Sequence, residues 1–232
     1  HREAFAAGVT GFDEMHLVET KFAGERPVEL QFVRGAIESD SSKERMAVRA
    51  KLFVDATGLH AALRKQIPVL HEIHGEHADS DLCTAFQENC HVADVEGARD
   101  FLRRHHISPG TMVSILGTNG GYSTMTVHIS PDLSEVGLLA GAIKDPGVLT
   151  GTQMLKRFRT EHAWVGERIL GGGGTIPLRT PLEILSAPGV AVVGNAANQV
   201  FSTHGSGVVP AIQSARLLAD ALKGAHDPGD AD

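Results

Sequence analysis

Near the C-terminal end, Gly194-Asn195-Ala196-Ala197 follows the apolar run Gly189 to Val193, and Phe201-Ser202-Thr203-His204-Gly205-Ser206-Gly207 leads into an alanine- and leucine-rich stretch from Val208 to Leu222. A strand, a glycine loop and a helix in that order leave backbone N–H groups of the loop and of the first helical turn pointing outward. The helix dipole favours negative charge or a polarised carbonyl there. The second candidate is Asp55-Ala56-Thr57-Gly58, where a strand stops in an acidic residue and a glycine and the backbone can approach a ligand closely. His71, His74 and His77 have a spacing that suits zinc. Glu72, Gly75, Glu76 and Asp79 lie among and beside them, however, and the chain has 13 histidines, so a solvated loop is the simpler reading. His105-His106 reads the same way. Cys83 and Cys90 form no Cys-x-x-Cys pair and read as reduced thiols of a cytoplasmic protein. The sequence contains neither a Gly-x-Ser-x-Gly elbow nor a phosphate-binding P-loop.

These residues need elements to hold them. Met15 to Phe22, Val28 to Val33 and Ala47 to Val54 read as three strands of an antiparallel meander, with Val48, Ala50, Leu52 and Val54 on one face at period two. Asp81 to His91 reads as a strand, and Val95 to His105 as a helix with Phe101 and Leu102 inward. Met112 to Leu116 and Tyr122 to Ile129 form a pair of strands around Gly117-Thr118-Asn119-Gly120-Gly121, an Asn-Gly hairpin signal. Thr152 to Glu167 is expected to be a helix, with Met154, Leu155, Phe158, His162 and Val165 at threes and fours, followed by Gly171 to Gly174. Val190 to Val193 has the continuous apolar character of a strand buried on both faces. In the last helix Ile212, Ala215, Leu218, Ala219 and Leu222 can share a face. Trp164 and Tyr122 read as packing residues, and Arg103-Arg104 and Arg157 with Arg159 as solvated helix faces.

The 232 residues include 42% hydrophobic and 21% charged residues, enough to bury a core. A formal charge of -7 gives no positive field for phosphate backbones, which argues against nucleic acid as a partner. No run approaches the length of a membrane span, and no convincing amphipathic anchor is seen, so membrane contact is peripheral at most. The tail from Gly224 to Asp232 is expected to fray.

Pro188 to Val200, with Thr203-His204-Gly205-Ser206-Gly207-Val208, resembles the second FAD-binding motif of flavoproteins with the p-hydroxybenzoate hydroxylase type of fold, and within them the geranylgeranyl reductase group most of all. Gly171 to Gly174 with Thr175-Ile176-Pro177-Leu178 is similar to the segment preceding that motif, and Phe53 to Arg64 to the earlier strand-turn motif. The resemblance implies an α/β (α+β) fold: a partial FAD-binding domain with a β-meander over 1–66 and 171–232, and an antiparallel-sheet substrate domain over 67–170. It places Asp55, Gly58, Gly194, Asn195, Ala196 and Ala197 against the cofactor, with Thr203, His204 and Ser206 along the flavin ring edge. Gly205, Ser206, Gly207 and Val208 would supply amides toward the pyrimidine side. A positive helix end there complements negative charge on a reduced ring.

By the same resemblance, the complete enzyme uses reduced FAD to deliver hydride to a carbon–carbon double bond of an isoprenoid or similar apolar or aromatic substrate, with NAD(P)H or ferredoxin as electron donor and no catalytic side chain named. Alternatives are a flavin monooxygenase or halogenase of the same fold, and a non-catalytic remnant that binds a partner chain or apolar ligand. Two departures stand out. The GxGxxG loop for the FAD pyrophosphate is missing, so it is expected in a segment preceding His1. Asn195 stands where the group usually has Asp, which keeps a carbonyl acceptor but loses a charge-assisted bond.

Overall fold

The computed structural model describes residues 2–35, 45–201 and 205–224. In chain order it has helix α1 (Arg2–Ala6) and strands β1 (Met15–Ala23), β2 (Arg26–Arg34), β3 (Arg45–Arg49) and β4 (Phe53–Asp55). Helix α2 (Pro68–His74), strand β5 (Leu82–Val92) and helix α3 (Val95–Arg104) follow. Strands β6 (Met112–Leu116), β7 (Ser123–Ile129) and β8 (Glu135–Ile143) then lead to helix α4 (Gly151–Glu161). Strands β9 (Val165–Pro177), β10 (Ser186–Ala187) and β11 (Val190–Val192) precede helix α5 (Val208–Gly224). The chain divides into two compact units. One comprises His1–Glu76, Pro181–Gln199 and Gly207–Asp232, the other His77–Thr180 and Val200–Ser206.

In the first unit β1, β2 and β3 form the antiparallel meander, while β4 lies in a separate sheet of order β10-β11-β4, parallel to β11. The third strand expected from the sequence is therefore two strands in two sheets. Period-two alternation continues across Ala50 to Leu52, but alternation cannot reveal a change of partner. Val190 and Val192 of β11 and Phe53 of β4 pack with Leu63, Ile67 and Leu70 into one apolar cluster. Pro at the first turn starts α2, so His71 lies on a helix and not in the loop expected there.

On β2, Glu29 is 5% exposed and accepts from Lys21 Nζ at 2.7 Å, Gln31 Nε2 at 3.2 Å and Arg49 Nε at 2.7 Å. These donors, Lys21 above all, hold its carboxyl down at about 2 from an ordinary 4.5. A carboxyl depressed by folding stabilises the fold above its unfolded value, and the contribution is lost as pH falls from there through the folded value. Glu29→Gln should therefore flatten the loss of stability between pH 4.5 and about 2 in acid titrations followed by circular dichroism. Identical acid transitions in the two proteins would contradict this.

The second unit is a five-stranded antiparallel sheet of order β6-β7-β8-β5-β9. Met125, Val127 and Ile129 of β7 face helices α3 and α4, with Phe101, Leu102, Met154, Leu155 and Phe158 filling the core. The Thr150 hydroxyl accepts from Gln153 N and Thr150 N donates to Gln153 Oε1 in return, fixing the start of α4. The helix ends at Glu161, short of the expected Glu167: His162 is its cap and Val165 opens β9. That strand carries Gly171 to Gly174, which the resemblance groups with the C-terminal motif, along β5. Arg159 is half-buried, donating to Gly166 O at 3.1 Å and lying 3.5 Å from Glu88, so it ties α4 to the sheet instead of facing only solvent. Among the described residues no helix is long and apolar enough to cross a membrane.

Candidate functional site

In the first unit, the parallel strands β4 and β11 end side by side, and each runs into a 3₁₀ turn, Gly58–His60 and Gly194–Ala197. The two turns pack against each other, and the first turns of α5 pack against the second. A crevice outside the carboxyl ends of parallel strands is where open α/β sheets bind ligands.

Asp55 shapes the first turn. It is 1% exposed, and its Oδ1 accepts from Thr57 N at 3.0 Å and Thr57 Oγ1 at 2.6 Å. Its Oδ2 accepts from Leu63 N at 3.0 Å and Arg64 N at 2.7 Å. The Asp55 carboxylate, expected against a cofactor, is occupied by the chain's own donors and positions the turn. What the turn leaves open is Gly58, at φ +68°, where a side chain would meet nothing within 4 Å.

The second turn divides in the same way. Gly194 has φ +65°, and a Cβ there would lie 3.2 Å from Ala211 Cβ, so glycine lets α5 approach the strand end. Its N–H donates to Gln199 Oε1 at 2.7 Å, while Gln199 N donates to Gly194 O at 3.0 Å. Ala196 and Ala197 are core residues, 1% and 0% exposed. Their side chains, and the Gly194 amide, are thus engaged within the fold. Asn195 is different: it is half-buried, and its side-chain amide makes no hydrogen bond among the described residues. The capping role of Gln199 was missed in the sequence, where the reciprocal spacing from Gly194 was the available signal.

Gly207 O accepts the first bond of α5, from Ala211 N at 3.0 Å, and Val208 is 72% exposed. The helix start thus presents the Gly207 and Val208 amides, while Pro210 has none to offer. No residue of α5 is fully buried. Ala211, Ser214, Leu218 and Leu222 are half-buried and form its inner face, whereas Ile212, Ala215 and Ala219, expected to share that face, are exposed. Gly205 and Ser206 belong to the second unit, where Gly205 N donates to Phe201 O at 2.8 Å and Phe201 N to Ser206 O at 3.0 Å. The Gly205 amide is therefore also committed within the chain. Thr203 and His204 lie outside the described residues.

The second unit carries its own candidate surface on the sheet face away from α3 and α4. A cavity of about 970 Å³ there is lined by Gln87, Asn89, Thr124, Thr126 and His128, with Met112, Leu116 and Leu139 supplying apolar surface. The alternation in Ser123 to Ile129 carried the signal for this face. Tyr122 lies on it, 41% exposed and not packed away as expected; burial, with the Cys83 thiol beside it, pushes its phenol up and keeps it protonated. Burial likewise pushes the Cys83 and Cys90 thiols up, so neither is a ready nucleophile.

No family model matches the chain. It is 24% identical over 203 residues, 86% of this chain and 43% of the relative, to a digeranylgeranylglycerophospholipid reductase of Sulfolobus acidocaldarius. A second protein of that name, from Methanothrix thermoacetophila, is 32% identical over 102 residues, 42% of this chain and 25% of the relative. A geranylgeranyl bacteriochlorophyll reductase-like structure from Thermoplasma acidophilum superposes with a TM-score of 0.66 at 16% identity, covering 93% of this chain and 50% of the other. The chain resembles the geranylgeranyl reductase group. It has that fold over the part it spans, and it spans less than half the length of the curated relatives it matches. The fold is shared with a flavin-dependent brominase, TM-score 0.58 at 16% identity over 98% of this chain and 55% of the other. A salicylate hydroxylase matches with TM-score 0.51 at 15% identity, over 90% and 52%.

Proposed function

We propose that this chain forms part of an FAD-dependent reductase acting on carbon–carbon double bonds of an isoprenoid or similar apolar substrate. The observation that carries the reading is the half-buried Asn195 amide, which has no hydrogen-bond partner among the described residues and is set between the open Gly58 turn and the start of α5 at the ends of two parallel strands. Such a place fits a flavin: Asn195 offers a carbonyl and an amide to hydroxyls, Gly58 admits close approach of a flat group, and the Gly207 and Val208 amides with the helix dipole complement negative charge. A bound reduced flavin supplies hydride equivalents. The GxGxxG loop for the pyrophosphate is proposed to lie outside residues 1–232, and NAD(P)H or ferredoxin is proposed as the electron donor.

The second unit would hold the substrate. Met112, Leu116 and Leu139 give its open sheet face an apolar surface that keeps water from a hydrocarbon chain, and the cavity of about 970 Å³ matches an extended ligand. Tyr122, on the same face, keeps its phenol proton at neutral pH. An apolar lipid substrate would bring the protein to a membrane surface only peripherally.

The test is a single turnover without oxygen, using the chain, chemically reduced FAD and a geranylgeranyl lipid. Flavin reoxidation with a mass gain of two per reduced double bond is the expected result. Reoxidation only in oxygen, with an oxygenated or halogenated product, would favour the monooxygenase or halogenase reading that the shared fold also accommodates. Flavin binding without any turnover would favour a binding module.

A further inference from the structure

Helices α3 and α4 each end in the pattern Phe-x-x-x-His, as Phe101-Leu102-Arg103-Arg104-His105 and Phe158-Arg159-Thr160-Glu161-His162. The i, i+4 spacing puts each phenyl beside its own imidazole. Phe158 and His162 stack with centroids 4.0 Å apart and planes at 14°, and Phe101 meets His105 at 4.3 Å. The two pairs converge, Phe101 lying edge-on to Phe158 at 6.0 Å and to His162 at 5.6 Å. Where they converge there is a cavity of about 260 Å³ on the helical side of the five-stranded sheet, the side opposite the face assigned to substrate.

The cavity has a buried apolar floor and a polar mouth. Phe101, Met125, Met154 and Phe158 are between 1% and 8% exposed. At the rim Arg157 Nε donates to Glu161 Oε1 at 2.8 Å, and this bond holds the Glu161 carboxyl below the usual carboxylate range, so the pair stays ionised with no net charge. His162 Nδ1 lies 3.0 Å from Phe158 O. When that nitrogen donates, Nε2 is left as an acceptor. Thr118 and Asn119, from the β6–β7 turn, add neutral polar groups.

Volume and chemistry together select the occupant. A cavity of roughly 150 Å³ takes benzene, while sites for drug-sized ligands run to about 300–1,000 Å³, so this one suits a single substituted ring and is too small for a long isoprenoid. Ring-lined walls prefer an aromatic guest. A mouth without net charge gives no preference for a carboxylate or an ammonium, whereas an imidazole acceptor rewards an O–H donor. We propose that this cavity is a second small-molecule site, for a neutral single-ring phenol, separate from the substrate face.

Trp164, the single tryptophan of the chain, reports on it. Trp164 is 5% exposed, with its ring 5.3 Å from Phe101 and 6.2 Å from His162. The full chain is titrated with phenol, toluene and benzoate, following Trp164 emission excited beyond phenol absorption and, independently, heat by calorimetry. The expected result is saturable phenol binding about tenfold tighter than toluene, with benzoate weakest. His162→Phe keeps the stacked ring and removes the acceptor, so phenol should weaken about tenfold to match toluene, while toluene is unchanged. If that variant unfolds, the order of the three ligands on the native chain still decides. No saturable response to phenol, toluene binding as tightly as phenol, benzoate binding tightest, or a folded His162→Phe with phenol affinity intact would each overturn the proposal.

Discussion

Replacing Asp55 by alanine should destabilise the first unit by about 3–5 kcal/mol, a large share of the total stability of an ordinary domain. The carboxylate is 1% exposed and is the acceptor for four hydrogen bonds, from Thr57 N, Thr57 Oγ1, Leu63 N and Arg64 N. Bonds to a charged acceptor contribute roughly 1.5–3 kcal/mol each, and removing the acceptor strands buried N–H groups without water to replace it. Leu63 is 4% exposed and Arg64 1%, so their amides have no easy route to solvent. Asp55→Asn should be nearly as damaging, because its amide donor must face a backbone N–H, either that of Thr57 or those of Leu63 and Arg64. Thr57→Ala removes only the hydroxyl contacts, to Asp55 and from Ala62 N, and should cost about 1 kcal/mol. Urea denaturation of the three variants checks this; an Asp55→Ala midpoint equal to the parent's would contradict the positioning role.

The four glycines of β9 should split into two classes. A side chain at Gly173 would run into the Phe86 ring and the Ala85 carbonyl, and one at Gly171 would lie 2.7 Å from Gln87 O and 3.1 Å from Glu88 Cγ. At Gly172 and Gly174 nothing lies within 4 Å. Gly173→Ala and Gly171→Ala should each cost about 2–3 kcal/mol, since either β5 moves or the sheet loses its register. Gly172→Ala and Gly174→Ala should be neutral or stabilise by up to about 1 kcal/mol, because alanine restricts the unfolded chain. Thermal unfolding of the four single variants is sufficient, and equal effects at all four positions would contradict the alternation.

The same strand shows where the sequence stops being legible. Glycine carries no side chain to alternate, so Leu170 to Thr175 has no period to read, and the strand exists because β5 offers a long partner: Glu88 opposite Gly171, Phe86 opposite Gly173. Glu135 to Ile143 is equally hard to see, because Gly137, Leu139 and Gly141 between the buried Val136, Leu138, Ala140 and Ala142 are apolar or glycine themselves, so the alternation has no polar half. Strands with one covered face were plain, Ser123 to Ile129 among them. The apolar run ending at Val193, its glycine turn and the helix from Val208 were all readable. The division of labour within the turns was not. Nothing in Asp-Ala-Thr-Gly says that the carboxylate folds back on Leu63 and Arg64, and nothing in Gly-Asn-Ala-Ala says that the Gly194 amide goes to Gln199 while the Asn195 side chain meets no partner among the described residues. Those distinctions come from residues several positions away and require the three-dimensional contacts.

The turns after β4 and β11, with the start of α5, are proposed to hold a flavin. Titration of the full chain with FAD, followed by quenching of flavin fluorescence, tests it most directly. Saturable binding is expected, tightened about three- to tenfold by Asn195→Asp through a charge-assisted bond and abolished by Gly194→Val, which drives a side chain against Ala211 at a left-handed position. No saturable quenching up to millimolar FAD in the native chain and in Asn195→Asp alike, or binding that a folded Gly194→Val leaves intact, would contradict it.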